Sequence, residues 1–188
     1  VTAFEDPVDY TVINTGDIAA GSGTTLNFGA EDVEGGTQSV TNEGTIENVI
    51  GNALALAVGE TAELSVVNDG DITALEEAVR FLTGAEGKVE LINRGTIIGD
   101  IVLEGPEGDQ TATFDNTETI TGTILINQDN TSKVGALAGI DSTLKLTNRE
   151  DATLANTEDQ LIRSVGHALE IENLGTFSAS GTSGTSAI

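Results

Sequence analysis

The chain has 188 residues, with 31 acidic and 7 basic side chains, and its formal charge of −24 excludes a basic face for nucleic-acid binding. Aromatic residues make up only 3% of the chain and glycine occurs 23 times, which argues against an ordinary globular enzyme core. There is no cysteine, so disulfides and thiolate metal ligands are excluded. No apolar run approaches the roughly 20 residues of a spanning helix, and we expect no membrane insertion of this segment.

A degenerate phrase recurs seven times along the chain: an apolar residue, any residue, Asn, any residue, Gly, Thr or Asp, and then Ile. It first occurs at 12–18 and last at 171–177, while the fifth copy has Glu118 in the Gly place and the sixth, from Leu146, loses the Gly. The anchor residues, 23 to 32 positions apart, are Asn14, Asn42, Asn68, Asn93, Asn116, Asn148 and Asn173. A mean period of about 26 residues is typical of one solenoid coil built from about three short strands.

Apolar and polar residues alternate within each copy, as Leu64, Val66 and Asn68 illustrate, and this period of two predicts β-strands. When coils stack about 4.8 Å apart, equivalent side chains form columns, for which medium-sized aliphatic residues are suited. The two predicted inward columns are Val12, Val40, Val66, Leu91, Phe114, Leu146 and Ile171, and Ile18, Ile46, Ile72, Ile97, Ile120 and Phe177. We therefore expect residues 1–188 to form one all-β domain, a parallel β-helix (β-solenoid) of about seven coils of roughly 25 residues.

The repeated asparagines predict a structural ladder, in which each side-chain amide pairs with the coils above and below it. The Gly two residues later is expected to supply a positive φ for a sharp turn. These turn residues are Gly16, Gly44, Gly70, Gly95 and Gly175. Glu118 and Glu150 break the rule in adjacent coils, and the longest interval between asparagines lies there. We expect a loop outgrowth at 127–133, where the chain is polar and rich in turn-forming residues.

Two segments are candidate helices rather than strands, because each begins with a Thr that is followed three residues later by Glu or Gln, as in a capping box. They lie at 73–82 and 157–165. In the first segment, Val79 and Phe81 align with an apolar column, which favours a strand. For the second segment, the sequence does not decide between a helix and a strand.

The phrase Asn-x-Gly-[Thr/Asp]-Ile, followed by a short apolar strand as at 77–82, resembles the degenerate repeats of autotransporter-type passenger domains. The resemblance covers about residues 10–188. It implies a right-handed parallel β-helix exposed on, or released from, a Gram-negative bacterial surface, with a role in adhesion, aggregation or matrix building. We therefore expect a non-enzymatic extracellular structural or adhesive module, whose partners are other copies of itself or surface polysaccharide or protein.

One alternative is a polysaccharide-cleaving β-helix enzyme, since such enzymes share this architecture. A lyase-type site needs a basic residue to accept a proton, and the sole histidine, His167, with nearby Arg163, is the only candidate. We interpret both as surface or turn residues and assign no catalytic residue.

A second alternative is a Ca²⁺-dependent surface-array protein, because hard cations take oxygen ligands and the chain is strongly acidic. The candidate ligands are Glu43, expected to stack near Asp69, and Asp71 two residues further on. We favour a solvated acidic ridge, partly neutralised by Arg94 next to Asp69, and expect no obligatory cofactor. Ice binding is a third option, raised by the alternating threonines at 117–123, but the alternation occurs in one coil only.

The repeat array has no evident cap after Phe177, where the sequence at 178–186 is Gly, Ser and Thr turn material. An open coil exposes unpaired backbone groups and an uncovered apolar column. We therefore expect this domain to be part of a longer protein, or its last coil to dock on another copy.

Overall fold

The computed structural model describes residues 9–30, 36–58, 63–82, 88–104, 111–122, 124–127, 143–156, 161–164 and 168–179, and within these ranges every regular element is a β-strand. The strands are β1 (Tyr10–Asn14), β2 (Asp17–Ala20), β3 (Thr24–Ala30), β4 (Thr37–Asn42), β5 (Thr45–Asn48), β6 (Asn52–Val58), β7 (Glu63–Asn68), β8 (Asp71–Leu82), β9 (Lys88–Asn93), β10 (Thr96–Glu104), β11 (Thr111–Asn116), β12 (Thr119–Thr121), β13 (Ile124–Asn127), β14 (Thr143–Asn148), β15 (Thr153–Asn156), β16 (Ile162–Ser164), β17 (Ala168–Asn173) and β18 (Thr176–Ala179).

The first sheet stacks the strands that lead into each anchor asparagine, in the order β1-β4-β7-β9-β11-β14-β17. All neighbours are parallel, and every anchor asparagine is in register with the next one, from Asn14 with Asn42 to Asn148 with Asn173. Because the side chains alternate, one apolar residue of each strand falls in the same inward column, which contains Val66 on Leu91 and Leu91 on Phe114.

The other two sides of the coil belong to a second, larger sheet. Its first row contains β2, β5, β12, β15, β18 and the first halves of β8 and β10, and its second row contains β3, β6, β13, β16 and the second halves of β8 and β10. β8 and β10 turn the corner as continuous strands with a register shift between Ile98 and Ile101. The parallel β-solenoid is thus confirmed. The coil count is slightly lower than predicted, because the last of the seven layers has only two of its three strands within the described ranges.

The core is a set of stacked aliphatic columns, in agreement with the alternation in the sequence. Val66, Ile72 and Ile97 have no exposed surface, because each has a coil above and below it. In the first and last coils the same columns are only half-buried, at Val12 and Ile171, since a neighbouring coil covers one side alone. Large side chains are rare, and Phe81 and Phe114 pack together with ring centroids 6.1 Å apart.

The predicted irregular segments have mixed outcomes. The choice of strand over helix at 73–82 is confirmed, because these residues lie in β8. Of the second helix candidate, 162–164 form β16, and 157–160 and 165 lie outside the described residues. The predicted outgrowth also lies outside them, except for Asn127 at the end of β13, as do 180–188. A search of the described ranges finds no helix with the length and apolarity needed to cross a bilayer.

Candidate functional site

The anchor asparagines form a continuous hydrogen-bonded ladder through the described stack. Asn14 Nδ2 donates to Asn42 Oδ1 at 2.8 Å, and the same bond is repeated at each of the next five steps at 2.8 to 2.9 Å. The interior members, such as Asn68 and Asn93, have no exposed surface. The ladder therefore fixes the vertical register of the coils with buried, satisfied amides.

The first six ladder amides also hold the turn that follows them. Asn68 Nδ2 donates to Gly70 O at 3.0 Å within its own coil, and to Thr96 O at 3.2 Å in the next coil. In the fifth coil Asn116 Nδ2 makes the equivalent bond to Glu118 O at 3.0 Å, so the loss of glycine leaves the turn in place. One side chain thus links two turns and two coils.

The turn glycines were expected to provide a positive φ, and this explanation is wrong. None of the five ladder glycines has a φ in the left-handed region; the glycines with positive φ are Gly23, Gly36, Gly99 and Gly122. The described structure requires glycine for close approach instead, because a Cβ at Gly44, Gly70, Gly95 or Gly175 would overlap backbone oxygen of the preceding coil. At Gly16, in the first coil, a Cβ would meet nothing within 4 Å.

The sixth coil replaces the glycine turn by a longer one. Asn148 Nδ2 reaches Ala152 O, four residues on, at 3.4 Å, and Ala152 N donates to Arg149 O at 3.2 Å. Asp151 adopts φ of 68° there, a conformation that Asp tolerates better than most residues. The insertion keeps the ladder intact, since Asn148 still donates to Asn173.

A second buried asparagine corner was missed by the sequence reasoning. Asn48 Oδ1 accepts from Ile50 N and Gly51 N at 3.1 and 2.8 Å, while its Nδ2 donates to Gly23 O at 2.8 Å. Asn156 occupies the same place in the sixth coil and is also buried. The signal was present in the sequence, because Asn48 lies two positions after Ile46 of the second column, and Asn156 lies two positions after Leu154, which is in register with Ile120 of that column.

The outer face of the first sheet carries two shallow polar grooves. The first, of about 270 Å³, is lined by Glu63, Lys88 and Glu90 together with the hydroxyls of Thr37, Ser65 and Thr113. Within it Lys88 Nζ lies 3.0 Å from Glu63, and Ser65 Oγ lies 3.4 Å from Glu90 Oε2.

The second groove, of about 280 Å³, lies over β14 and β17, where Lys145 Nζ is 3.2 Å from Glu170. Both grooves combine ammonium donors, carboxylate acceptors and, in the first, several hydroxyls. Such a set can bind hydroxyl-rich ligands by hydrogen bonding.

The candidate metal ligands are only partly brought together. Glu43 and Asp69 occupy one column, since their backbone N–H groups donate to Asn14 O and Asn42 O in the same way. Asp71 lies in a different column, between Thr45 and Thr96.

The carboxylate of Asp69 is already bonded. Arg94 Nη1 lies 2.8 Å from Asp69 Oδ1 and 3.2 Å from Oδ2, as the sequence predicted for a neutralising partner. Within the described ranges no group of three or more carboxylates or histidines has the geometry of a metal site. Of the enzymatic candidates, Arg163 lies on β16 in register with Leu125, and His167 lies outside the described residues.

A bidentate ion pair joins the fifth and sixth coils next to this ridge. Arg149 donates from Nε and Nη2 to the two carboxylate oxygens of Asp115, both at 2.8 Å. This bidentate bond lowers the pKa of Asp115; partial desolvation opposes the shift, and the charges of Arg149 and Arg94 add to it. The ridge therefore carries charges of both signs in its middle coils rather than continuous negative charge.

Threonines form a longer outward column than the sequence suggested. The first row of the second sheet stacks Thr45, Thr96, Thr119, Thr153 and Thr176 in one column, interrupted by Asp71. The adjacent outward column is mixed, and only Thr119 and Thr121 form a threonine pair within one strand. The paired pattern is thus restricted to one coil in this row, as the sequence indicated.

Comparison of the chain with protein-family models, with curated proteins and with solved structures finds no significant match.

Proposed function

We propose that this chain is a non-enzymatic structural and adhesive module, a stiff β-solenoid segment of an extracellular bacterial surface or secreted protein. The observation that carries the proposal is the unbroken asparagine ladder, with six side-chain bonds at 2.8 to 2.9 Å along the whole described stack. The recurring features of the repeat, which are the aliphatic columns, the amides and the close-packed glycines, all serve to hold one coil on the next. Such uniform stacking suits a stiff stalk, because each repeat contacts its neighbours in the same way.

The dimensions support a spacer role. Seven parallel strands at the usual spacing of about 4.8 Å form a rod about 30 Å long, which further repeats would lengthen without changing its cross-section. The resemblance of the repeats to autotransporter-type passenger domains supports a location for such rods on a Gram-negative cell surface. The high negative charge of −24 favours solubility there and resists nonspecific aggregation.

The adhesive part of the proposal assigns ligand binding to the first groove on the outer face of the first sheet. Lys88, Glu90 and Ser65 present a charged donor, a charged acceptor and a hydroxyl within one shallow surface. This chemistry suits the hydroxyls and carboxylates of a surface polysaccharide. The binding is expected to be weak for a single chain, because the groove is open and offers no aromatic stacking among its lining residues.

The test is to incubate the purified chain with a panel of acidic and neutral bacterial polysaccharides, and to measure both binding and cleavage. We expect saturable binding to at least one polymer, with neither new reducing ends nor unsaturated sugar products. Lys88→Ala should weaken that binding, while Lys145→Ala, which removes the same charge in the second groove, serves as the matched control. Release of oligosaccharides by the wild-type chain would contradict the proposal and identify a polysaccharide-cleaving enzyme.

A further inference from the structure

The asparagine ladder has a direction. In every step the Nδ2 of one asparagine donates to the Oδ1 of the next asparagine along the chain. Asn14 Oδ1 accepts only from Gly16 N within the described residues, and one of its lone pairs stays available. Asn173 accepts from Asn148, and its own Nδ2 donates to no residue of the described part of the chain. The two ends of the ladder are therefore complementary.

The backbone has the same polarity at the turns. At the turns that follow the ladder asparagines, each coil donates N–H groups to the carbonyls of the coil before it, as Glu43 N does to Asn14 O at 2.7 Å and Thr45 N does to Gly16 O at 2.8 Å. By this pattern the edge formed by β1 and β2 offers the N–H groups of Thr15 and Asp17. The edge formed by β17 and β18 offers carbonyl acceptors.

Gly16 gives the most specific evidence for what binds the edge formed by β1 and β2. The ladder glycines of the later coils are required by close-packed oxygen of the coil before them, but nothing described in this chain approaches within 4 Å of the position of a Gly16 Cβ. The residue is nevertheless glycine, and at each later ladder glycine the equivalent position is occupied by a backbone oxygen of the preceding coil. Gly175 presents that carbonyl at the opposite edge.

We infer that copies of this chain stack head to tail, so that the β17 edge of one copy receives the β1 edge of a second copy. Asn173 Nδ2 then donates to Asn14 Oδ1 of the second copy, and Thr15 N of the second copy donates to Asn173 O. Along the first sheet and the first row of the second sheet, the interface continues the coil-to-coil contact that already repeats along the chain. Because it joins two different edges, it does not close on itself and generates linear assemblies. The inference rests on the proposed structural role and deepens it by naming the partner.

The apolar columns match across this interface. In the register of the repeat, Val12 lies on Ile171 and Ile18 lies on Phe177. All four side chains are only half-buried within one copy. Stacking removes this apolar surface from water, as it does between every pair of coils in the middle of the rod.

In the same register, no carboxylate of the β17 and β18 edge faces a carboxylate of the β1 and β2 edge. Glu172 meets Ile13, whose side chain is 66% exposed in one copy, and Glu170 meets Thr11. Asp17 meets Thr176. A chain with a charge of −24 can join end to end only if its edges bring no like charges into contact, and this register satisfies that condition.

The first measurement is the mass and shape of the 188-residue chain over a wide concentration range, by analytical ultracentrifugation and small-angle X-ray scattering. We expect masses in integer multiples of the monomer, with increasing length and an unchanged cross-section. Strictly monomeric behaviour up to about 1 mM would overturn the inference, and so would side-by-side growth with a larger cross-section.

Two variants block one edge each without disturbing the described contacts of the fold. Gly16→Val places a side chain where the incoming carbonyl would lie. Asn173→Asp removes the donor but keeps an oxygen to accept from Asn148. Each variant alone should associate at least about tenfold more weakly than wild type, and their melting temperatures at low concentration should be unchanged.

A mixture of these two variants gives the sharpest readout. The first variant retains an intact β17 edge and the second an intact β1 edge, so together they should form a one-to-one dimer that grows no further. Association unaffected by either variant, or a mixture that stays monomeric, would overturn the head-to-tail interface.

Charge changes at Ile13 provide an independent test of the register. Ile13→Lys should strengthen association about tenfold, because the new ammonium faces Glu172 of the other copy, and Ile13→Glu should weaken it. Thr41→Lys and Thr41→Glu are the matched controls, since Thr41 occupies the same column one coil further from the edge. Equal effects at Ile13 and Thr41 would contradict the proposed register. The polysaccharide assay is independent of these readouts, so failure of stacking is distinguishable from failure of the proposed function.

Discussion

Gly70 lies directly against the carbonyl oxygen of Gly44 in the preceding coil, so that a Cβ added to Gly70 would overlap that oxygen. The contact occurs where Asp71 N donates to the same oxygen at 2.9 Å. The glycine thus permits the closest approach of two coils at the point where they are hydrogen-bonded. Stacking distance, rather than turn conformation, is what this position controls.

Gly70→Ala should therefore destabilise the chain by roughly 2 to 4 kcal/mol, because the coils must separate or the turn must distort to admit a methyl group. Gly16→Ala is the control, since the same methyl group meets nothing within 4 Å there. Its effect should be within about 0.5 kcal/mol of zero. Urea denaturation at low protein concentration measures both values, and equal losses in the two variants would show that close approach is not the reason for glycine.

Asn93→Asp tests the interior of the ladder. Asn93 Nδ2 donates to Gly95 O at 2.9 Å, to Asn116 Oδ1 at 2.8 Å and to Thr119 O at 3.2 Å. A carboxylate cannot donate these bonds and would be buried among oxygen atoms, so we expect a loss of more than about 3 kcal/mol.

Asn173→Asp is the matched control at the exposed end of the same ladder, and it should cost less than about 1 kcal/mol. Chemical denaturation of both variants at neutral pH makes the comparison. A small loss at Asn93 would mean that the amide ladder contributes little to the stability of the stack.

Val66→Asp and Ile72→Asp test the inward columns, because both side chains have no exposed surface and lie between aliphatic neighbours above and below. Each substitution should cost several kcal/mol, on the order of 4, since an unpaired carboxylate is forced into an apolar column. Val67→Asp, one residue away on the outer face, should cost far less. Losses below about 1 kcal/mol in both inward variants would contradict the assignment of these columns.

Fold and core followed from the sequence because two periodicities reinforce one another. Alternation around Val66 sets which side chains face inward, and recurrence at Leu91 and Phe114 sets which of them stack. The predicted pairing of Arg94 with Asp69 follows from the same alignment and is present in the structure. Side-chain contacts between equivalent positions of adjacent repeats are therefore readable from a single sequence.

Backbone contacts, rare corners and contacts between non-equivalent positions were not readable in this way. The requirement for glycine at Gly70 comes from the backbone of another coil, and local turn preferences suggested positive φ instead. Asn48 and Asn156 were missed because their corner recurs in only two of the repeats. The bond between Arg149 and Asp115 joins non-equivalent positions, because Asp115 precedes its anchor asparagine whereas Arg149 follows its own.

Asp115→Asn tests the contribution of this ion pair and its pH dependence. The lowered pKa of Asp115 in the folded chain means that the pair stabilises the fold above the ordinary carboxyl pKa of about 4, and that this stability is lost as the pH falls through the lowered value. At pH 7 the variant should be less stable by no more than about 0.5 kcal/mol, because Arg149 is half-exposed and solvent screens the pair.

The difference between wild type and Asp115→Asn should therefore shrink as the pH falls below about 4, and thermal unfolding across the acid range measures it. Thr117→Asn, in the adjacent ridge column, provides a variant of similar polarity that leaves the ion pair intact. A difference that grows toward low pH would have the wrong sign for a carboxylate with a lowered pKa.

Calcium is expected to act on this chain through ionic strength alone. The two oxygens of Asp69 are bonded to Arg94, and Asp71 stands in another column, so Glu43 lacks the neighbouring free carboxylates that a Ca²⁺ site requires. Adding Ca²⁺ should therefore raise the melting temperature no more than Mg²⁺ or a sodium salt of matched ionic strength. Arg94→Gln releases Asp69 and should make the stabilisation by Ca²⁺ larger than in wild type. A chelator that lowers the wild-type melting temperature by more than about 10 °C, with recovery on adding Ca²⁺ but not matched salt, would instead establish a calcium site in the native protein.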